Sequence, residues 1–328
     1  MDFTHVTAGT DDDGRRLDKV IRRFLPGAAL SQVYSALRKG LIKVDGKKQP
    51  PDAHVRAGSD IAIACFLVEN EVSHAVSNPR DNTTAKNVPD ELMLFRNDDL
   101  LVLNKPYDVP VQKARAEDVS LADMVAADYA ARHGENKSLS FRPGPLHRLD
   151  RKTTGIIVFS QSLRGARWFS DALKKHAVRK IYLALMQGTL PAVQEWDDTV
   201  TKKDTLSDTF HTVTVAARAA PGKHAHTVAT PLAYGTYHGT PVTLVQCAIG
   251  TGRKHQIRAQ AAFHGFPLLG DTAYGGNSIT ESQDFFLHAY RLVIGTNPLG
   301  LPHEILADIS TKFAKMLNNC LIKFDSRL

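Results

Sequence analysis

The residues best suited to chemistry lie near the middle of the chain, where residues 145–155 read Pro-Leu-His-Arg-Leu-Asp-Arg-Lys-Thr-Thr-Gly. One aspartate, Asp150, stands among Arg148, Arg151 and Lys152, with His147 close by. Nearby positive charge favours the ionised form of a carboxylate, and the same cations collect phosphate. An anionic oxygen held in a phosphate-attracting surface suits covalent chemistry on a nucleotide. Taken alone, an Asp beside arginines is more often an ordinary surface ion pair, so the case depends on the rest of the chain.

Four further stretches bear on it. Residues 102–106, Val-Leu-Asn-Lys-Pro, end a strand in a rigid X-Pro turn and carry Lys105. In residues 180–188 strand alternation puts Lys180, Tyr182 and Ala184 on one face and Ile181, Leu183 and Leu185 on the other. Residues 250–258, Gly-Thr-Gly-Arg-Lys-His-Gln-Ile-Arg, form a Gly-rich basic turn leading into a helix at 259–263. The fourth, residues 270–275 and 287–292, reads Gly-Asp-Thr-Ala-Tyr-Gly and then Leu-His-Ala-Tyr-Arg-Leu. The basic turn lacks the Lys-Ser/Thr ending of a nucleoside triphosphate loop. His224, His226, His255 and His264 have no Cys or carboxylate neighbours at metal-ligand spacing. No metal and no cofactor are expected.

Elements must position these groups. Leu17, Val20, Ile21, Phe24 and Leu25 follow helical spacing, with Arg15, Arg16, Lys19, Arg22 and Arg23 mostly off that stripe. Pro26-Gly27 breaks this helix. A second, with Leu30, Val33, Tyr34 and Leu37 on one face, ends at Gly40 after Arg38-Lys39. A strand at 41–44, a turn at Asp45-Gly46 and a strand about 61–63 follow. Residues 68–89 fade into Ser, Asn, Asp, Thr and Pro and read as a linker. Beyond it come a hairpin at 92–104, a strand at 155–160, a helix marked by Leu163 to Leu173, and strands at 180–188 and 240–249. No βαβ rhythm persists, so the expectation is α+β with a largely antiparallel mixed sheet. The domains expected are 1–67, a linker at 68–89, and 90–328.

The 328 residues carry a formal net charge of +7, and residues 15–60 hold eleven Lys/Arg against four Asp/Glu, the whole surplus. Charge concentrated in one segment points to a polyanion partner. The start shows no apolar signal region, no stretch is apolar enough to span a bilayer, and no lipidation motif suggests membrane. Three well-separated cysteines argue against a disulfide framework and for a reducing compartment, the cytoplasm by default.

Taken in order, residues 92–310 resemble the RluA family of pseudouridine synthases, whose central motif His-Arg-Leu-Asp-Arg-x-Thr-Ser-Gly stands here as 147–155 with Thr154 in place of Ser. Its later motif, Gly-Arg-Thr-His-Gln-Ile-Arg, carries Lys254 where Thr is common. Residues 14–64 resemble the S4 RNA-binding domain, which together with the rest matches the subgroup acting on large-subunit ribosomal RNA. The resemblance implies isomerisation of uridine without cofactor, Asp150 as the nucleophilic carboxylate, and Arg258 as its salt-bridge partner. It makes Tyr182 the residue that stacks on the base and a candidate general base. Uridine must leave its stack, at about a few kcal/mol. Arg151 then either occupies the vacated space or contacts phosphate. Lys105, Arg253 and Lys254 are expected on backbone phosphate, with His147, Arg148, Thr154, Lys180, Arg22, Arg38 and Lys39 completing the RNA-binding set. A monomer is expected.

A glycoside hydrolase needs a second carboxylate, and none lies within the Asp150 motif. A non-enzymatic ribosome-assembly protein on the same fold would have little use for Asp150, Tyr182 and Arg258 together.

Overall fold

The computed structural model of the chain describes residues 1–69, 87–113, 115, 117–133, 138–202, 212–217, 220–279 and 284–324. Two compact units emerge, one of residues 1–88, 123–144 and 161–164, the other of 89–122, 145–160 and 165–328. Most of the linker expected at 68–89 lies outside the described residues.

In the first unit, strands β1 (Phe3–Thr7), β2 (Ile42–Val44) and β3 (Asp60–Ala64) form an antiparallel sheet in the order β1-β3-β2. Helices α1 (Leu17–Phe24) and α2 (Leu30–Lys39) contribute Leu17, Val20, Ile21, Val33, Ala36 and Leu37 to its core. These six are thereby removed from water, Phe24 and Tyr34 are half-buried and Leu30 at the start of α2 is exposed, as are Arg22, Arg38 and Lys39. Gly40 ends α2 at φ 72, a left-handed conformation that glycine takes without steric penalty. Strand β1 went unanticipated, because five residues of mixed exposure give little periodic signal.

The first unit also takes in residues well beyond 67, and one buried carboxylate explains much of that. Asp12 is 0% exposed. It accepts from the backbone N–H of Gly9 (2.9 Å), Leu139 (2.8 Å) and Ser140 (3.1 Å), from Ser138 Oγ (2.9 Å), and from Ser140 Oγ. Bonds to an ionised acceptor are about twice as strong as neutral ones. Asp12, in the acidic run 11–13, is thus a structural clasp. Helix α3 (Leu121–His133), unpredicted from the sequence, belongs to this unit from Asp123 onward.

The second unit is built on one ten-stranded sheet. Its strands are β4 (Met93–Arg96), β5 (Leu100–Lys105), β6 (Thr154–Ser160), β7 (Val178–Gln187), β8 (Gln194–Lys202), β9 (Val213–Ala217), β10 (Lys223–Tyr237), β11 (Thr240–Ile249), β12 (Leu287–Ile294) and β13 (Glu304–Leu306). The order is β4-β5-β6-β12-β7-β11-β10-β8-β9, with β13 on β12, and among these pairings only β6–β12 is parallel. The fold is α+β with a mixed, largely antiparallel sheet, as expected. Residues 196–237, which had no assignable role from sequence, supply β8, β9 and β10.

Helix α4 (Leu163–Lys174) follows β6, α5 (Gln256–Phe263) follows β11, and α6 (Thr311–Asn319) closes the chain. Phe313, Met316 and Leu317 of α6 pack with Leu183, Leu185 and Phe286. The opposite face of β7 turns Lys180 and Tyr182 into a cleft. The alternation read from 180–185 therefore separates core from site.

Candidate active site

The loop carrying Asp150 is laid along β6 by backbone bonds. Leu146 N–H donates to Val158 O (2.8 Å), and Val158 N–H donates to His147 Nε2 (3.1 Å). Lys105 secures the far end, its Nζ donating to the carbonyls of Pro106 (2.8 Å) and Arg151 (2.6 Å). Between these anchors the loop turns, Thr153 N–H bonding Asp150 O (3.1 Å), and offers the Asp150 side chain to the cleft.

Two expectations are corrected at this point. Lys105 is 0% exposed, and burial pushes its amine down to about 7, so it holds the loop and contacts no phosphate. Thr154, 2% exposed, bonds His288 Nδ1 (2.8 Å), whose Nε2 bonds Ala307 O (3.0 Å); it fixes β6 beside β12 and has almost no surface to offer RNA. Gly155 follows for a steric reason. Its φ is +100, and a Cβ there would lie 2.3 Å from Ala289 O, so only glycine permits the approach of β6 to β12.

The cleft encloses about 520 Å³, room for a nucleotide, and is lined by Asp150, Tyr182 and Arg258 together with His147, Arg148, Lys180, Arg253 and Lys254. Arg148 and Arg253 are exposed at its rim, and Arg253 Nε donates to His224 O (2.9 Å). Lys180 is largely buried, which pushes its amine down to about 8. Burial also drives the His147 imidazole down to about 3, so this ring is a neutral prop of the loop, not one of the cations around Asp150. Arg151 points elsewhere, bonded to Asp108 Oδ1 (2.9 Å) and Asp118 Oδ1 (3.2 Å), and Lys152 pairs with Asp284. Both side chains are thus engaged by carboxylates while still open to solvent. Arg22, Arg38 and Lys39 belong to the first unit and are no part of this cleft.

Arg258, on α5, is 8% exposed and divides its guanidinium between two carboxylates. Nη1 reaches Asp150 Oδ2 (3.3 Å), while Nε and Nη2 grip Asp271 at 2.7 and 2.8 Å. The Tyr274 and Phe285 rings pack on it at 5.0 and 4.3 Å. Burial opposes its charge, but Asp271 and then Asp150 more than offset that, and its pKa is raised. The two-pronged bond to Asp271 fixes the plane from which one N–H is aimed at Asp150.

Tyr182 is 5% exposed, and burial, with Asp150 adding to it, pushes its phenol well above the ordinary range. Asp271, Tyr274, Phe285 and His255 were missed as site residues. Asp271 and Tyr274 stood in the quoted segment 270–275, yet nothing linear shows that residue 271 returns to residue 258.

Three histidines, His288 fully buried and His147 and His255 partly so, make stability depend on acid. Burial lowers His147 to about 3 and His255 and His288 to about 4. Unfolded, each has the ordinary value near 6.5. Below about pH 6.5 the unfolded chain binds protons that the native one refuses, so the stability these rings allow is full above that pH and lost as pH falls toward 4. Each contributes about 1.4 kcal/mol per pH unit at most, roughly 4 together. Urea unfolding from pH 7 to 4.5 should show this slope, and His288→Gln should remove about a third of it.

The chain is similar to known proteins along most of its length. The RNA pseudouridylate synthase family profile matches residues 99–263. The ribosomal large subunit pseudouridine synthase C of Salmonella typhimurium is 28% identical over 295 residues, covering 88% of this chain and 87% of the relative. Its Pasteurella multocida counterpart is 25% identical over 323 residues, covering 95% and 92%. The structure titled Human RNA Pseudouridylate Synthase Domain Containing 4 shares the fold, with a TM-score of 0.56 and 21% identity, covering 71% of this chain and 94% of that one. With half of its length matched by that profile, the chain belongs to the RNA pseudouridylate synthase family.

Proposed function

We propose that this enzyme acts on large-subunit ribosomal RNA, with Asp150 as nucleophile, Arg258 as its orienting cation and Tyr182 against the target base. The observation that carries the reading is the convergence of these three side chains in one nucleotide-sized cleft. The names of the relatives support the choice of RNA. The reaction breaks the N1–C1′ bond of uridine and joins C5 to C1′. Overall, one proton leaves C5 and one arrives at N1, so redox chemistry is unnecessary. Asp150 divides the exchange into two easier steps by forming and then releasing a covalent bond. Tyr182 serves by packing and as a hydrogen-bond donor. Burial raises its phenol, which opposes the ionisation a general base at neutral pH requires. Arg148, Lys180, Arg253 and Lys254 would meet phosphate and add affinity with little sequence information.

The first unit, read as an S4-like RNA-binding module on the pattern of residues 14–64, would supply most of the remaining electrostatic contact. Deleting residues 1–67 would be a poor test, because it takes Asp12 away from Ser138, Leu139 and Ser140. Substitution of exposed cations is cleaner. Replacing Arg22, Arg38 and Lys39 together by Ala should lower the slope of log affinity against log salt by about 2–2.7. Turnover of RNA already bound should stay within about twofold. An unchanged slope in filter-binding titrations would remove RNA from the first unit's role. For the whole reading, transcribed ribosomal RNA incubated with the enzyme should acquire pseudouridine at defined sites, and none with Asp150→Asn.

A further inference from the structure

His255 precedes α5 at φ 53, a left-handed conformation uncommon for a residue with a side chain, and its ring makes no cap bond to the helix. The ring is committed in another direction. Its Nδ1 lies 2.9 Å from the Tyr274 hydroxyl, with the two rings edge to face. That hydroxyl oxygen already accepts the N–H of Val213 (2.9 Å). Among the described residues, the Nδ1 of His255 stands where it can accept that hydroxyl's single proton. An imidazole that accepts at Nδ1 carries its own proton on Nε2. Nε2 points at Asp150 Oδ1, 3.7 Å away, while Arg258 addresses Oδ2 of the same carboxylate at 3.3 Å. Tyr274 also packs on Arg258, so one side chain braces both partners of Asp150.

We propose that His255 is a positioning residue for Asp150, an Nε2–H donor whose tautomer is set by Tyr274 and Val213. The proposal rests on the reading of Asp150 as the nucleophile. Burial supports it by lowering His255 to about 4, so the ring carries one proton at neutral pH and offers one N–H. In the free enzyme the contact is longer than a hydrogen bond. Catalytic contacts of this kind commonly tighten once substrate fills the site. With one donor on each oxygen, the carboxylate cannot rotate about its Cβ–Cγ bond, and its outward lone pairs face the cleft. When the bond between an Asp150 oxygen and the substrate carbon breaks, the electron pair returns to that oxygen. His255 and Arg258 then stabilise the restored charge. No proton passes to or from His255 in that step.

Two measurements test this. In the free protein labelled with ¹⁵N-histidine, at pH 7, the His255 resonances, assigned by their loss in His255→Gln, should show a protonated Nε2 and an unprotonated Nδ1. Tyr274→Phe should convert this to a mixture of tautomers. A dominant Nδ1–H form in the parent protein would overturn the proposal. In single turnover on ribosomal RNA, His255→Ala should be slower by about 30-fold with RNA affinity within about twofold. His255→Gln, whose amide nitrogen falls near the place of Nε2, should recover to within about fivefold of the parent. Equal losses in Ala and Gln, or no loss in either, would sink the donor role. Should the parent protein leave ribosomal RNA unmodified, the substrate reading falls, and the ¹⁵N spectrum still decides the inference.

Discussion

Asp150→Asn is expected to form no measurable pseudouridine, a fall of at least about four orders of magnitude, on the scale seen when a covalent nucleophile is removed from a working set of residues. The amide has the shape of the carboxylate, and its carbonyl still accepts from Arg258 Nη1, so the cleft should stay intact. What disappears is the lone pair able to attack carbon. RNA affinity should be unchanged within about threefold, or tighter, because a negative charge has been removed from a surface that meets phosphate. The isomerisation releases the hydrogen on C5. Tritium release from RNA made with 5-³H-uridine therefore reads the reaction directly. Substantial release by the Asn variant, with tight binding retained, would move the chemistry away from residue 150.

The second large effect is expected at Asp271, which nothing in the sequence singled out. Asp271 is 2% exposed and takes two of Arg258's N–H groups. Removing one partner of a buried pair leaves the other charge uncompensated, at a typical cost of about 3–5 kcal/mol. Asp271→Ala should lose stability on that scale in urea unfolding. Activity should fall by about a hundredfold or more, because the freed guanidinium can swing both prongs onto Asp150 and cover the attacking oxygen. Asp271→Asn should sit between the two, since its carbonyl accepts while its amide opposes a guanidinium N–H. A loss of under about 1 kcal/mol in the Ala variant would show that Tyr274 and Phe285 alone hold Arg258 in place.

The reach of the sequence differed by element. Helices α1 and α2 were legible because their apolar residues recur at helical spacing, and their ends were marked by Pro26-Gly27 and Gly40. The two faces of β7 were legible because alternation survives where one face is core and the other is cleft. Strands β8, β9 and β10 were not, since the turn residues and charges of 196–237 hide the period, and their neighbours lie far off in sequence. Helix α3 is rich in alanine and aspartate and gives a weak stripe. In the site, Asp150, Tyr182 and Arg258 came from motif resemblance and do line one cleft. Lys105 was misread for a physical reason. A cation after a strand looks solvated until its two carbonyl partners, one of them 46 residues away, are known. Asp271 is linked to Asp150 through Arg258, and His255 is braced by Tyr274, relations that spacing does not encode.

The clasp at Asp12 bears on synthesis as well as on stability. Its partner Leu139 lies 127 residues downstream, and the unit they share is complete only at residue 164. On a ribosome adding about 5–20 residues per second, the amino-terminal sheet and its two helices wait several seconds for their last hydrogen-bond donors. Strands β4 and β5 emerge in that interval. The basic segment is thus made first and finished late.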